Sequence, residues 1–243
     1  MFSLFKKEVQ SYFYCPLAYV ISALFVLIYS LSFIQWITSL TKLNLQFSFA
    51  AIFYNQFFYF IFLVPMLTMK SFAEERRMNT EVLLMSTPLN VFKIVMGKFF
   101  AIGVVFAMIM ALTFIYPAIT AVYGEVRWGG LICGYLGFFL WGMGCVAVGM
   151  LVSSFTENQI IAAIFGEAAM LILWFMDKFN EIEWMRNKPV WSSLISAVSP
   201  KAKFEGFATG VFRLSDVVFY ITFIVVFLSW TMISVEKRRW SRG

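Results

Sequence analysis

The sequence predicts an all-α membrane protein with six transmembrane helices. Three observations carry this: an apolar composition, six long apolar stretches, and charge gathered between the stretches rather than within them. The chain is 61% apolar, 20% aromatic and only 13% charged, and its mean hydropathy is +0.82. A spanning helix needs about 20 mostly apolar residues. Stretches of that kind lie at 17–37, 48–69, 94–122, 130–152, 159–176 and 217–235, within a single membrane domain over 1–243.

The N-terminal residues 1–16 place Phe2, Phe5, Val9, Tyr12 and Phe13 at helical spacing, with Lys6, Lys7 and Gln10 between them. This pattern predicts an amphipathic helix lying in the membrane interface, and Pro16 marks the turn into the bilayer. A signal peptide fits poorly, because its apolar core is about 7–15 residues, whereas Leu17–Ile37 runs on into Thr38-Ser39-Leu40 without a cleavage site. The first stretch is a retained span.

An even number of spans puts both termini on one side. Lys6 and Lys7 precede the first span, and Lys70, Arg76, Arg77, Lys93 and Lys98 surround the second connection. Lys237, Arg238, Arg239 and Arg242 follow the last span. Basic residues near span ends mark the cytoplasm, so N-in and C-in are expected in a plasma or inner membrane. Six cations in 177–216, with Lys42 and Arg127, make the bias modest. Lys98 lies within a turn of the third span's inner end, where a lysine can snorkel to the interface, and the sequence gives it no special role.

The segment 70–93 is the densest charge in the chain. Ser71-x-x-Glu74 has capping-box spacing, and Pro88 ends helical structure at about Thr87. The residues between them, Glu74, Glu75, Arg76, Arg77, Thr80 and Glu81 with Val82, Leu83, Leu84 and Met85, make an element with a charged part and a greasy part. That combination suits docking onto another protein. A solvated loop is the plain alternative, and isolated exposed ion pairs contribute only about 0–1 kcal/mol.

Thr156-x-x-Gln159 is a second capping box, opening the fifth span, with Glu157 and Asn158 beside it. Capping alone accounts for these residues; a further cytoplasmic contact is the alternative. Glu167 sits mid-span, where a carboxylate is costly and faces a bundle interior or a water-filled cavity. It either bonds a neighbouring helix or its own copy, or lines a substrate path. Gly130-x-x-x-Gly134 permits close helix packing. Pro65 and Pro117 lie inside spans and bend them, for mechanical or for packing reasons.

Several activities are excluded. The chain has no histidine, which removes His-based acid–base and nucleophilic schemes and the usual zinc ligand. No G-x-x-x-x-G-K-[ST] run is present, so this polypeptide alone holds no nucleotide site of that type. Cys15, Cys133 and Cys145 form neither a disulfide framework nor a metal motif. Nucleic acid is not an expected partner, since the aromatic residues lie in apolar spans and not on a basic face.

Taken together these motifs resemble the permease subunits of type-2 ATP-binding-cassette (ABC) exporters. Members carry a proline in the second span and a short basic turn, then E-E-R-x-x-x-T-x-E-x-L-L-x-x-P. This chain has Pro65, Glu74-Glu75-Arg76, Thr80, Glu81 one place early, Leu83-Leu84 and Pro88. The gliding-motility-type branch is nearest, through Ser153-Ser154-Phe155-Thr156-Glu157-Asn158-Gln159, Phe207-Ala208-Thr209-Gly210-Val211 and Asp216-Val217-Val218. The resemblance covers nearly the whole chain.

It implies a non-catalytic subunit that pairs into a homo- or heterodimer on two cytoplasmic ABC ATPase subunits, which carry the ATP and magnesium. The chain itself is expected to bind no cofactor. Segment 70–93 would be the coupling helix, with Glu74, Glu75, Arg76 and Arg77 engaging the ATPase. Segment 177–216, rich in Trp184, Trp191, Phe204 and Phe207, would form re-entrant short helices in the outer leaflet, or a cap over the dimer reached by an extracytoplasmic accessory protein. An anchoring subunit of a surface or motility complex is the second functional class. An intramembrane lipid enzyme is disfavoured, because no polar cluster is seen to converge at one depth. The substrate is not visible in the sequence.

Overall fold

The computed structural model describes residues 2–43, 49–81, 90–123, 126–176 and 199–241. They form helices only: α1 Phe2–Tyr14, α2 Pro16–Leu43, α3 Phe49–Thr68, α4 Ala73–Arg77, α5 Val91–Leu112, α6 Ile115–Tyr123, α7 Trp128–Phe155, α8 Gln159–Phe175, α9 Pro200–Ala208 and α10 Leu214–Ser241. Among the described residues five stretches are long and apolar enough to cross a membrane: Pro16–Ser39, Gln56–Arg77, Val91–Tyr123, Trp128–Phe155 and Leu214–Arg239. Helix α8 is apolar too, but has only 17 residues.

Helix α7 is the axis of the molecule. Of its apolar stretch 78% is buried, against 17% for α10, and it packs on α3, α5, α8, α9 and α10. Its glycines explain how so many neighbours fit. A Cβ on Gly137 would lie 2.5 Å from Phe207, and one on Gly149 would lie 2.2 Å from the Thr68 hydroxyl oxygen. Without side chains at these points, α9 and α3 approach the α7 backbone directly. Around it the core is aromatic, with Phe57 against Phe204 at 4.5 Å and Phe60 against Phe138 at 4.9 Å between ring centres.

The two span prolines behave differently. Pro117 has no N–H and its ring crowds the carbonyl four residues back, at Thr113. The predicted third span breaks there, α5 ending at Leu112 and α6 starting at Ile115. Thr113 is buried and its carbonyl accepts from Tyr135 Oη at 3.2 Å. Pro65 stays within a continuous α3 and packs against Gly166 of α8.

Helix α1 buries Leu4 and Tyr12 and leaves Lys6, Lys7 and Gln10 exposed. It lies across α5, where Leu4 meets Gly97, and Tyr12 donates to the Leu67 carbonyl at 3.2 Å. Of segment 177–216, residues 177–198 lie outside the described residues, with Glu181, Glu183, Trp184 and Trp191 among them. The remainder holds α9, capped by Ser199 and started by Pro200. Phe204 and Phe207 are fully buried, so α9 is part of the core. Gly210, at φ 77°, turns the chain toward α10 against Gly130.

Candidate functional site: a charged junction around α4

The charged segment folds as a five-residue helix, much shorter than the spacing predicts. After Arg77, Asn79 takes a left-handed conformation at φ 55°. Asn79 N–H donates to the Arg76 carbonyl at 3.0 Å and Thr80 N–H to the Glu75 carbonyl at 2.9 Å. This pair of bonds is a Schellman cap, and it interrupts the single helix expected to run to Thr87. Residues 82–89, which include Leu83, Leu84 and Pro88, lie outside the described residues.

The expected capping boxes are also replaced. Ser71 does not cap α4; its buried hydroxyl has no hydrogen-bond partner among the described residues. The cap comes instead from α7, where Ser153 Oγ accepts from the N–H groups of Phe72 and Ala73, each at 3.2 Å, and donates to the Met69 carbonyl at 3.1 Å. A side chain 80 residues away satisfies the orphan donors. At α8 the cap is Asn158 and not Thr156: Asn158 Oδ1 accepts from Ile160 N–H at 2.9 Å. Thr156 lies in the turn between α7 and α8.

Two buried ion-pair sets fasten α4. Arg76, whose side chain is 1% exposed, donates through Nε to Glu81 at 3.2 Å and through Nη1 to the Thr156 carbonyl at 3.0 Å. Lys98, its side chain 2% exposed, lies 2.7 Å from Glu75 and 3.1 Å from Glu8. Lys98 therefore does not snorkel; it turns inward and joins α1, α4 and α5. From α10, Arg238 donates to the Phe155 carbonyl at 2.8 Å. Lys70 donates to Cys15 Sγ at 2.6 Å. Burial pushes this thiol up, but the Lys70 ammonium and the Leu17 N–H together outweigh it and hold Cys15 below the ordinary thiol range.

The predicted residues thus divide. Arg76 and Glu81 are buried and Glu75 is half-buried, all within the junction; Arg77, Thr80, Glu157 and Asn158 are exposed, and Glu74 and Thr156 are half-buried. Met78, 63% exposed, and Phe155, 58% exposed, add apolar surface to the same end of the molecule. Segments 73–81 and 155–158, remote in sequence, are brought together by Arg76. Sequence reasoning missed Lys98, Glu8 and Ser153. A lysine one turn inside an apolar stretch was the available signal, since a buried ammonium requires anions beside it.

Toward the opposite ends of α2, α3 and α8 lies a polar cavity of about 310 Å³, lined by Ser32, Gln35, Tyr54, Phe58, Tyr59 and Trp174. Gln56, fully buried beside it, donates to Ser32 Oγ at 3.3 Å. Polar groups do converge here, contrary to the sequence expectation, and among the described lining residues the phenols of Tyr54 and Tyr59 are the titratable ones, with no carboxylate or amine beside them. They can bind by hydrogen bonds and stacking. Glu167 is half-buried on α8 and does not line the cavity; Trp174, seven residues on, does.

Residues 37–200 match the family described as ABC-2 family transporter protein. The chain belongs to the ABC-2 family. This match spans more than half of the sequence and takes in α3 to α8 with the charged junction between them. The ABC-2 chain is accordingly a multi-pass membrane permease subunit of an ABC transporter, and the family is in general non-catalytic, its transporters completed by a partner ATPase. Among curated proteins none matches the chain.

Proposed function

We propose that this ABC-2 chain is the six-span permease of an exporter, of the gliding-motility-type branch, and that α4 with the α7–α8 turn is its docking surface for a cytoplasmic ABC ATPase. The observation that carries this is the Arg76 side chain, which binds Glu81 and the Thr156 carbonyl and so makes one surface of the two charged segments. At 17 residues α8 reaches the lower end of spanning length and serves as the fifth span. Both termini are cytoplasmic in this arrangement, with Lys6, Lys7, Lys237 and Arg239 on the junction's side.

The residues share the work unequally. Arg77, Met78, Thr80, Glu157 and Asn158, with Glu74, Leu83 and Leu84, contact the ATPase. Glu75, Arg76 and Glu81 hold α4 to α5, α7 and α1, so that movement of the docked ATPase passes into the spans and not into a loose loop. A second permease copy completes the transporter, with Glu167 and the exposed apolar face of α8 available to it. The polar cavity lies on the substrate path, and α9 sits on the outer side, where an extracytoplasmic accessory protein has access.

The test is copurification in lipid with candidate ABC ATPases, comparing ATP hydrolysis for wild type and for Arg77→Ala/Met78→Ala together. Loss of binding and stimulation in the variant is expected. A wild-type chain that neither binds nor stimulates any ATPase would leave the anchoring role as the better account.

A further inference from the structure

Where α1 lies across α5, a second cavity of about 700 Å³ opens between α1, α5, α7 and α10. Its walls include Phe5, Phe100, Val104, Ala107, Phe139 and Ile224, and these are apolar throughout. We propose that this groove holds one acyl chain of an anionic phospholipid, from the leaflet that α1 lies on, as a bound structural lipid. The proposal is independent of ATPase coupling and of which side of the membrane α1 faces.

Length, volume and charge support that occupant. From Phe99 to Ala107 the α5 wall rises about 12 Å at 1.5 Å per residue, close to half of a hydrocarbon core of about 30 Å. The walled length is therefore close to the depth of one leaflet. The cavity is wide enough for an acyl chain and has no polar group to hold water, so a dry, chain-filled state is favoured.

Charge sits at one end of it. Lys93 is seven residues before Phe100 and eleven before Val104, two helical turns and three, so it stands on the same stripe of α5, above the groove's mouth. Lys93 is exposed. Leu4 rests on Gly97 at 3.4 Å from where a Cβ would be, which fixes α1 over the mouth. A phosphate headgroup at that level lies beside this cation, while its chain descends past Phe100 and Val104. Bulk annular contact requires neither the recess nor the lysine above it.

Native mass spectrometry of the full chain, purified from vesicles of equal phosphatidylglycerol and phosphatidylcholine, tests this. Wild type should retain a single phosphatidylglycerol in preference to phosphatidylcholine. Ala107→Trp and Val104→Trp, which fill the groove, should each lose it, whereas Phe165→Trp on the exposed face of α8 should retain it. Removing Lys93 by Lys93→Gln should weaken phosphatidylglycerol retention about fivefold, the effect of about 1 kcal/mol per cation near an anionic surface, while leaving phosphatidylcholine unchanged. Circular dichroism melts confirm that each variant is folded. Equal retention of the two lipids by wild type, unchanged retention in both folded groove variants, or equal loss in Phe165→Trp would overturn the proposal.

Discussion

The two polar regions of this permease are built from opposite materials. Around α4 the groups are charged, buried and paired: Lys98 with Glu75 and Glu8, Arg76 with Glu81. In the cavity between α2, α3 and α8 they are neutral: Ser32, Gln35, Tyr54 and Tyr59, with Gln56 behind. Buried charges demand their partners, because losing one leaves the other uncompensated. Amides and hydroxyls exchange partners at far lower cost. The junction is thus suited to fixing helices relative to one another, and the cavity to groups that bind and leave.

The largest test of that contrast is Lys98→Met, which leaves two carboxylates facing each other without a cation. A loss of about 3–5 kcal/mol is expected, read from thermal melts in lipid, with partial recovery when Glu8→Gln and Glu75→Gln are added. A small loss with no recovery would show the triad to be incidental. Ser153→Ala comes next. It strips the acceptor from Phe72 N–H and Ala73 N–H, and about 1–2 kcal/mol should be lost by the same measurement.

On the neutral side, Gln56→Leu removes a buried amide at similar volume and should shift stability by less than about 1.5 kcal/mol. A loss matching that of Lys98→Met would erase the distinction between the regions. The smallest effect concerns the junction's margin. The Lys70 ammonium, with the Leu17 N–H, outweighs the upward push of burial and holds the Cys15 thiol below its ordinary range, so Cys15 should be alkylated at lower pH than an unperturbed thiol. Lys70→Met should move the half-maximal rate to higher pH. The rates are measured with Cys133→Ala and Cys145→Ala in place.

Sequence patterns pointed to five long apolar helices that the structure also has, because apolar length is a local property, whereas the stretch 159–176 forms a helix of only 17 residues. They located the charged segment for the same reason, as Glu74 to Glu81 are contiguous. They misassigned its shape, since the stop at Asn79 depends on one left-handed residue that the capping-box spacing of Ser71 and Glu74 obscured. The true cap, Ser153, was invisible because it acts from α7. Glu8, Lys98 and Glu75 are separated by up to 90 residues, and no periodicity links them. The cavity was missed because its members, Ser32 and Gln35 on α2 and Tyr54 and Tyr59 on α3, sit singly among the apolar residues of different spans. Glu167 drew notice as the only mid-span acid in α8, yet the cavity is lined by Trp174 from that helix and not by Glu167.

The most direct test of the docking claim is a photo-crosslinker placed at Met78, the exposed tip of the α4 turn, and separately at Phe165 on the exposed face of α8. With the permease in lipid beside its ABC ATPase, Met78 should crosslink to the ATPase and Phe165 should not. ATPase crosslinks from Phe165 with none from Met78 would contradict the assignment of α4 as the docking element.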